Sequence, residues 1–203
     1  MGFLKEMFGP SKEEIWQQLS EEIGAEYTRD GFLKSGKVEA RVKEWTITLD
    51  TYTVSTGKSS VTYTRMRAPY FNADNFRFTL YRRGFFSDIA KFFGMQDISI
   101  GDPEFDADFI IKSNNQWKIV ELLANHKIRD MVRAQPTFYL TVKDDEGWFK
   151  KSFPEGVDEL YFQVLGVITD IARLKALYEL FAALLDQLCY IGSAYEKDPG
   201  TKL

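Results

Sequence analysis

Four carboxylates alternate in Gly101-Asp102-Pro103-Glu104-Phe105-Asp106-Ala107-Asp108. Alternate acids in a loop can converge on a hard cation such as calcium. This run lacks the central Gly and the terminal Glu of the twelve-residue calcium loop, so Asp102, Glu104, Asp106 and Asp108 are weak metal candidates. In a strand the same spacing places the acids on one wet face. Gly57-Lys58-Ser59 has the ending of a phosphate loop, but Tyr52 stands where the first Gly is required and the stretch joins two strands, so it reads as a hairpin turn. His126 is the single histidine and Cys189 the single cysteine, and there is no G-x-S-x-G elbow. A nucleophile at Cys189 would sit within an apolar helix stripe, which suits a buried, inert thiol better. No catalytic residue and no cofactor are expected.

Cations interleaved with aromatics form a second constellation: Tyr63, Arg65, Arg67, Arg77, Tyr81, Arg82 and Arg83. Residues 31–95 hold eleven Lys and Arg against five Asp and Glu, although the chain as a whole carries −4. A sheet face of this kind can stack rings and hold anions, or it can be a solvated face with salt bridges. The overall charge argues against a dedicated nucleic-acid binder. If the face serves an anionic partner, reversing Arg65 and Arg77 to Glu is expected to abolish binding and spare the fold.

The elements that must position these residues are legible as periodicities. Ile171, Leu174, Tyr178, Phe181, Leu185 and Leu188 make one stripe of a long helix over 170–191, with Gly192 as its stop. Ser11 and Glu14 form a capping box that opens a helix carrying Ile15, Trp16, Leu19 and Ile23. This helix is expected to pack on the outside or to engage a partner. Between them the period falls to two. Val38, Ala40 and Val42 alternate with polar residues, then Trp45, Ile47 and Leu49 do so in the opposite phase, so a bulge or break is expected near Glu44. Strands follow over 61–68, limited by Pro69, and through Phe76, Phe78 and Leu80, with Thr79 and Tyr81 on the other side. A short helical piece is expected over 85–93, a strand over 105–112, and a helix from Asn115 that extends to Met131. A hairpin then runs through Phe138, Leu140 and Val142, turns at 145–147 and returns over 148–153, before a last strand over 160–167.

Tyr81-Arg82-Arg83-Gly84, Phe93-Gly94-Met95-Gln96-Asp97-Ile98 and Gly101-Asp102-Pro103-Glu104-Phe105-Asp106 resemble a pattern in uncharacterised bacterial proteins. The resemblance implies a compact β-rich domain before a C-terminal helix and carries no known chemistry. Asp97, Asp102 and Asp106 then read as turn and cap residues.

The expected fold is α+β: a twisted antiparallel sheet, single or split in two, packed on the long C-terminal helix, with an amphipathic N-terminal helix. Residues 1–25 are read as the helical segment, 26–192 as one domain and 193–203 as a polar, frayed tail. No uncharged apolar run reaches the ~20 residues that cross a bilayer, and no signal-peptide core is visible, so the expectation is cytoplasmic. Three functions fit: a non-enzymatic binding or assembly module, with a protein partner or homodimer through the N- or C-terminal helix; a lipid or small-molecule carrier with an aromatic cavity; or a metal-dependent enzyme using the 102–108 carboxylates.

Overall fold

A computed structural model describes residues 10–29, 36–55, 57, 59–83, 96–144 and 153–203. Residues 1–9 of the N-terminal segment, the helical piece expected over 85–93, the turn at 145–147 with the return over 148–152, and residues 56 and 58 of the hairpin turn lie outside these residues.

The fold is α+β. Strands β1 (Glu26–Thr28), β2 (Lys37–Val42), β3 (Trp45–Ser55), β4 (Ser60–Asn72), β5 (Phe78–Arg82), β6 (Gln96–Asp97), β7 (Phe109–Ser113), β8 (Tyr139–Lys143) and β9 (Val157–Leu165) form one antiparallel sheet. Their spatial order is β1-β2-β3-β4-β9-β8-β5-β7-β6, and the path does not close into a barrel. A tenth strand, β10 (Ala194–Tyr195), adds to β4.

Five helices accompany it among the described residues: α1 (Lys12–Ile23), α2 (Pro103–Asp108), α3 (Gln116–Leu123), α4 (His126–Arg133) and α5 (Ile171–Tyr190). Their buried apolar residues join a single core with one face of the sheet: Val38, Ile47, Leu49, Met66, Leu80, Ile111, Leu140 and Phe162. A chain of rings crosses that core. Phe105 meets Phe109 at 4.4 Å, Phe109 meets Phe138 at 5.9 Å, Phe138 stacks on Phe162 at 5.7 Å, and Phe162 meets Phe181 edge-on at 6.5 Å. Each buried ring of this kind gains roughly 1.5–3 kcal/mol over exposure, which is why α5 needs the sheet.

The α5 stripe lies where the spacing places it. Leu174, Leu177, Tyr178, Phe181, Leu184, Leu185 and Leu188 are buried, Asp170 caps the helix by accepting from Arg173 N, and Tyr178 Oη donates to Val38 O at 3.0 Å. α1 opens on its capping box and ends at Gly24, whose positive φ a side chain would resist. It is no outer ornament. Trp16 is fully buried and its Nε1 donates to Ile168 O, so the helix is part of the core.

Several local expectations change. Of the bulge or break expected near Glu44, the break is what forms: a two-residue hairpin, with Val42 opposite Trp45 and Lys43 at positive φ. Pro69 does not end β4. The ladder to β3 stops at Thr48↔Arg67, so no neighbour on that side requires an N–H at 69. The strand expected over 105–112 begins only at Phe109. Asp102 as N-cap and Pro103 at the first helical position turn 103–108 into α2. The helix expected from Asn115 to Met131 is two helices, because the Asn125 side chain accepts from Lys127 N and Ile128 N and starts a new one. The tail is not frayed. After Gly192 it pairs as β10, Asp198 meets Arg41 at 2.9 Å, and Lys197 lies over the Phe71 ring.

Candidate functional site

Because strand side chains alternate, a sheet with one face on the core has a second set pointing away from it. The register places that set in rows. One row reads Tyr52, Tyr63. The next reads Asp50, Arg65, Gln163, Tyr139, Tyr81, Ile110, and the next Thr48, Arg67, Tyr161, Thr141, Thr79, Lys112, Asp97. Tyr81, Tyr139 and Tyr161 form an apolar cluster of their own, with Ile110 against it, separate from the main core.

The polar groups of this face are bonded to one another. Asp50 receives Arg65 in a two-pronged contact at 2.5 and 2.9 Å and Arg67 at 2.8 Å. Arg67 also lies 3.6 Å from Glu159, and both are buried. Burial disfavours the Arg65 cation, but the hydrogen bond and charge of Asp50 outweigh it, and its pKa is raised. Tyr52 and Tyr161 both donate to Gln163 Oε1, at 2.7 and 2.8 Å. Thr79 and Thr141 share a hydrogen bond at 2.9 Å. The Tyr52 and Tyr63 rings stack at 5.2 Å, with the Arg65 guanidinium over Tyr52 and the Lys143 ammonium over Tyr161. Burial pushes the Tyr52, Tyr139 and Tyr161 hydroxyls up, so they stay protonated at neutral pH. With Arg65 and Arg67 offset by Asp50 and Glu159, the face presents neutral hydroxyls, amides and rings rather than a bare positive charge.

The seven residues singled out from the sequence therefore divide. Tyr63, Arg65, Arg67 and Tyr81 share this face. Arg77 pairs with Asp144 at 2.8 Å and lies 3.5 Å from Asp158. Arg82 reaches Asp108 and the carbonyls of Arg133 and Gln135, over the Phe109 ring. Arg83 donates to the carbonyls of Asp106 and Ala107, at the C-terminus of α2. Reversing Arg65 would set a new carboxylate against Asp50 inside a partly buried network, so the expectation that the Arg65 and Arg77 double reversal spares the fold is corrected. Sequence reading passed over Asp50, Tyr52, Tyr139, Tyr161 and Gln163. The signal was present in β9, where Glu159, Tyr161 and Gln163 alternate with Leu160, Phe162 and Val164.

The 102–108 carboxylates do not converge. Asp102 caps α2 and meets Arg133 at 2.8 Å and Arg129 at 3.4 Å, and its pKa is lowered first by the Phe105 N–H, then by those cations. Asp106 accepts from Ser99 Oγ, Ile100 N and Gly101 N, and Asp108 holds Arg82. Among the described residues no cluster of three or more His, Cys, Asp or Glu is placed to hold a metal. His126 Nδ1 lies 2.6 Å from Arg129, at the start of α4. Cys189 is half-buried, and burial pushes its thiol up, which disfavours the thiolate.

Two cavities flank these elements. One, of about 400 Å3, lies between β1–β4 and the tail and is lined by Glu26, Lys37, Glu39, Thr48, Thr201 and Lys202 among others. The other, of about 570 Å3, is an open groove along α5 lined by Lys43, Lys127, Glu179, Asp186 and Tyr190 among others. Both linings carry charged side chains. Among the described residues no helix is long and apolar enough to cross a membrane.

No protein-family pattern matches the chain, and no curated protein matches it. Its fold is similar to that in the crystal structure of the mycobacterial trehalose monomycolate transport factor A, TtfA, with a TM-score of 0.54 over 87% of this chain and 94% of that one. The two are 9% identical, so the likeness speaks of fold alone.

Proposed function

We propose that this chain is a non-enzymatic binding or assembly module, and that it binds a protein partner through the Tyr52–Tyr63 end of the sheet face opposite the core. The observation that carries the reading is a set of large apolar side chains left in water there. Val54 is 44% exposed and Leu165 54% exposed, beside the stacked tyrosines. Exposed apolar side chains beside polar groups favour an interaction site. Tyrosines already fixed by Gln163 and Arg65 lose little freedom on binding, which favours them as anchors. Membership of the uncharacterised bacterial family that the 81–106 motifs resemble is part of this proposal, as is a cytoplasmic location.

A second reading, a lipid carrier, draws its support from the fold's likeness to a protein named as a trehalose monomycolate transport factor. Against it, the space between sheet and α5 is filled by Phe138, Phe162 and Phe181, and the two cavities have charged linings. The test is a photo-crosslinking side chain placed at 63, at 165, or at 179 on the exposed side of α5, in cells that make the protein. A discrete protein adduct from 63 and 165 but not from 179 is expected. Adducts from 179 alone, or none from any position, overturn the proposal, and an adduct of lipid mass at 63 moves support to the second reading.

A further inference from the structure

After β10 the chain crosses the sheet as a strap, on the face opposite the core. Lys197 lies over the Phe71 ring of β4, Asp198 meets Arg41 of β2 at 2.9 Å, and Leu203 O accepts from Lys37 Nζ at 3.2 Å. Between strap and sheet lies the cavity of about 400 Å3. Alternation builds its floor. Lys37, Glu39 and Arg41 point away from the core because Val38 and Ala40 point into it, and Thr46 and Thr48 do so because Trp45, Ile47 and Leu49 belong to it. Thr201, Lys202 and Leu203 supply the roof.

The lining carries both signs of charge. On the β1–β2 ladder Glu26 stands directly opposite Glu39, and both line the cavity. Like charges so placed in an antiparallel pair repel. Lys37, with its Nζ 2.9 Å from Glu39, offsets one of the two carboxylates. Arg41 and Lys202 add cations, and Thr46, Thr48 and Thr201 add hydroxyls. A hydrocarbon in this space would strand the charges. A simple anion would meet Glu26 and Glu39, and a simple cation would meet Lys37 and Lys202. A molecule that carries both charges, held apart, meets each with its opposite.

We propose that the cavity binds a small zwitterion, an amino acid or a dipeptide, with its ammonium between Glu26 and Glu39 and its carboxylate toward Lys37 and Lys202. The volume falls within that of small-molecule sites, roughly 300–1,000 Å3. The strap gives a way in. Its ion pair with Arg41 is about half exposed on both sides, and such contacts are weak and screened by salt, so the roof lifts at little cost. Pro69, in the cavity wall, lies about 20 Å along β4 from Tyr63. The cavity and the proposed protein-binding end of the face are therefore separate, and neither reading depends on the other.

Thermal melting of the purified full chain against a panel of amino acids and dipeptides tests it. At least one compound with a free ammonium and a free carboxylate is expected to raise Tm and to bind by calorimetry. Its N-acetylated and C-amidated forms are expected to bind about tenfold more weakly or worse, because each loses a charge-assisted contact. Glu26→Gln with Lys202→Gln, at two exposed positions, is expected to weaken the same compound about tenfold or more while leaving the circular dichroism unchanged. A panel without any stabilising compound overturns the proposal, as do blocked forms that bind as tightly as the free one, or binding indifferent to the double variant.

Discussion

Residues one step apart on the same strands do opposite work in this sheet. Met66, Phe162, Leu140, Leu80 and Ile111 lie in a cross-strand row under the helices, and their neighbours Arg67, Tyr161, Thr141, Thr79 and Lys112 lie in a row on the other face. Burial hardly separates them, since Phe162 is 0% exposed, Arg67 4% and Tyr161 5%. What differs is how each face is stabilised. The first gains by removing apolar surface from water, a term that tolerates exchange among side chains of similar volume. The second holds polar atoms that are stable only while each keeps its partner. One face is thus a generic fold-maker, and the other a network of polar groups fixed by their partners.

The comparison is sharpened most by cutting into the ring chain. Phe162→Ala is expected to cost about 3–5 kcal/mol, read as a drop in unfolding free energy by chemical denaturation. A loss below about 1 kcal/mol would mean that this face is not the core. On the other face, Asp50→Ala is expected to cost about 3 kcal/mol, because it strands two partly buried guanidinium groups. Adding Arg65→Met and Arg67→Met should recover most of that loss. If the triple variant is no better than the single one, the network is not the reason for the cost.

A pH experiment probes the junction of the two faces. Asp158 accepts from Asn72 at 2.6 Å and lies 3.5 Å from Arg77, yet burial holds its pKa above the ordinary value. A carboxyl raised in the folded state binds its proton more tightly there than when unfolded. Its contribution is therefore full below about pH 4 and is lost as pH rises through the raised value. Asp158→Asn is expected to flatten that part of the stability profile, and an unchanged slope would contradict it. The smallest effect belongs to the tail. Arg41→Ala breaks the exposed contact with Asp198 and should cost well under 1 kcal/mol in global stability.

Long periodic segments were readable from residue types alone. The α5 stripe, the α1 capping box, and the alternation in β2 and β3 each repeat one signal many times over. Short competing signals were not. Asp102-Pro103 is a helix start, but alternate acids beside Phe109-Ile110-Ile111 imitate a strand. Asn125 splits a helix whose apolar pattern runs straight through the break. At the candidate site, charge and aromaticity in sequence pointed to Tyr63, Arg65 and Arg67, and pairing brought Asp50, Tyr139, Tyr161 and Gln163 to them. Those partners lie up to 100 residues away in sequence, and nothing local in the sequence carries that register. Arg77, Arg82 and Arg83 have the same composition signal, yet the chain uses them to pin carboxylates and helix-end carbonyls.

The central proposal is that the Tyr52–Tyr63 end of the face opposite the core binds a protein partner. Native mass spectrometry of the protein released gently from its own cells, beside a Tyr63→Ser, Leu165→Ser variant, tests it most directly. The claim predicts a bound protein mass that disappears in the variant, while the unfolding free energy falls by no more than about 1 kcal/mol. A partner retained by the variant, or a bound lipid in place of a protein, would contradict it.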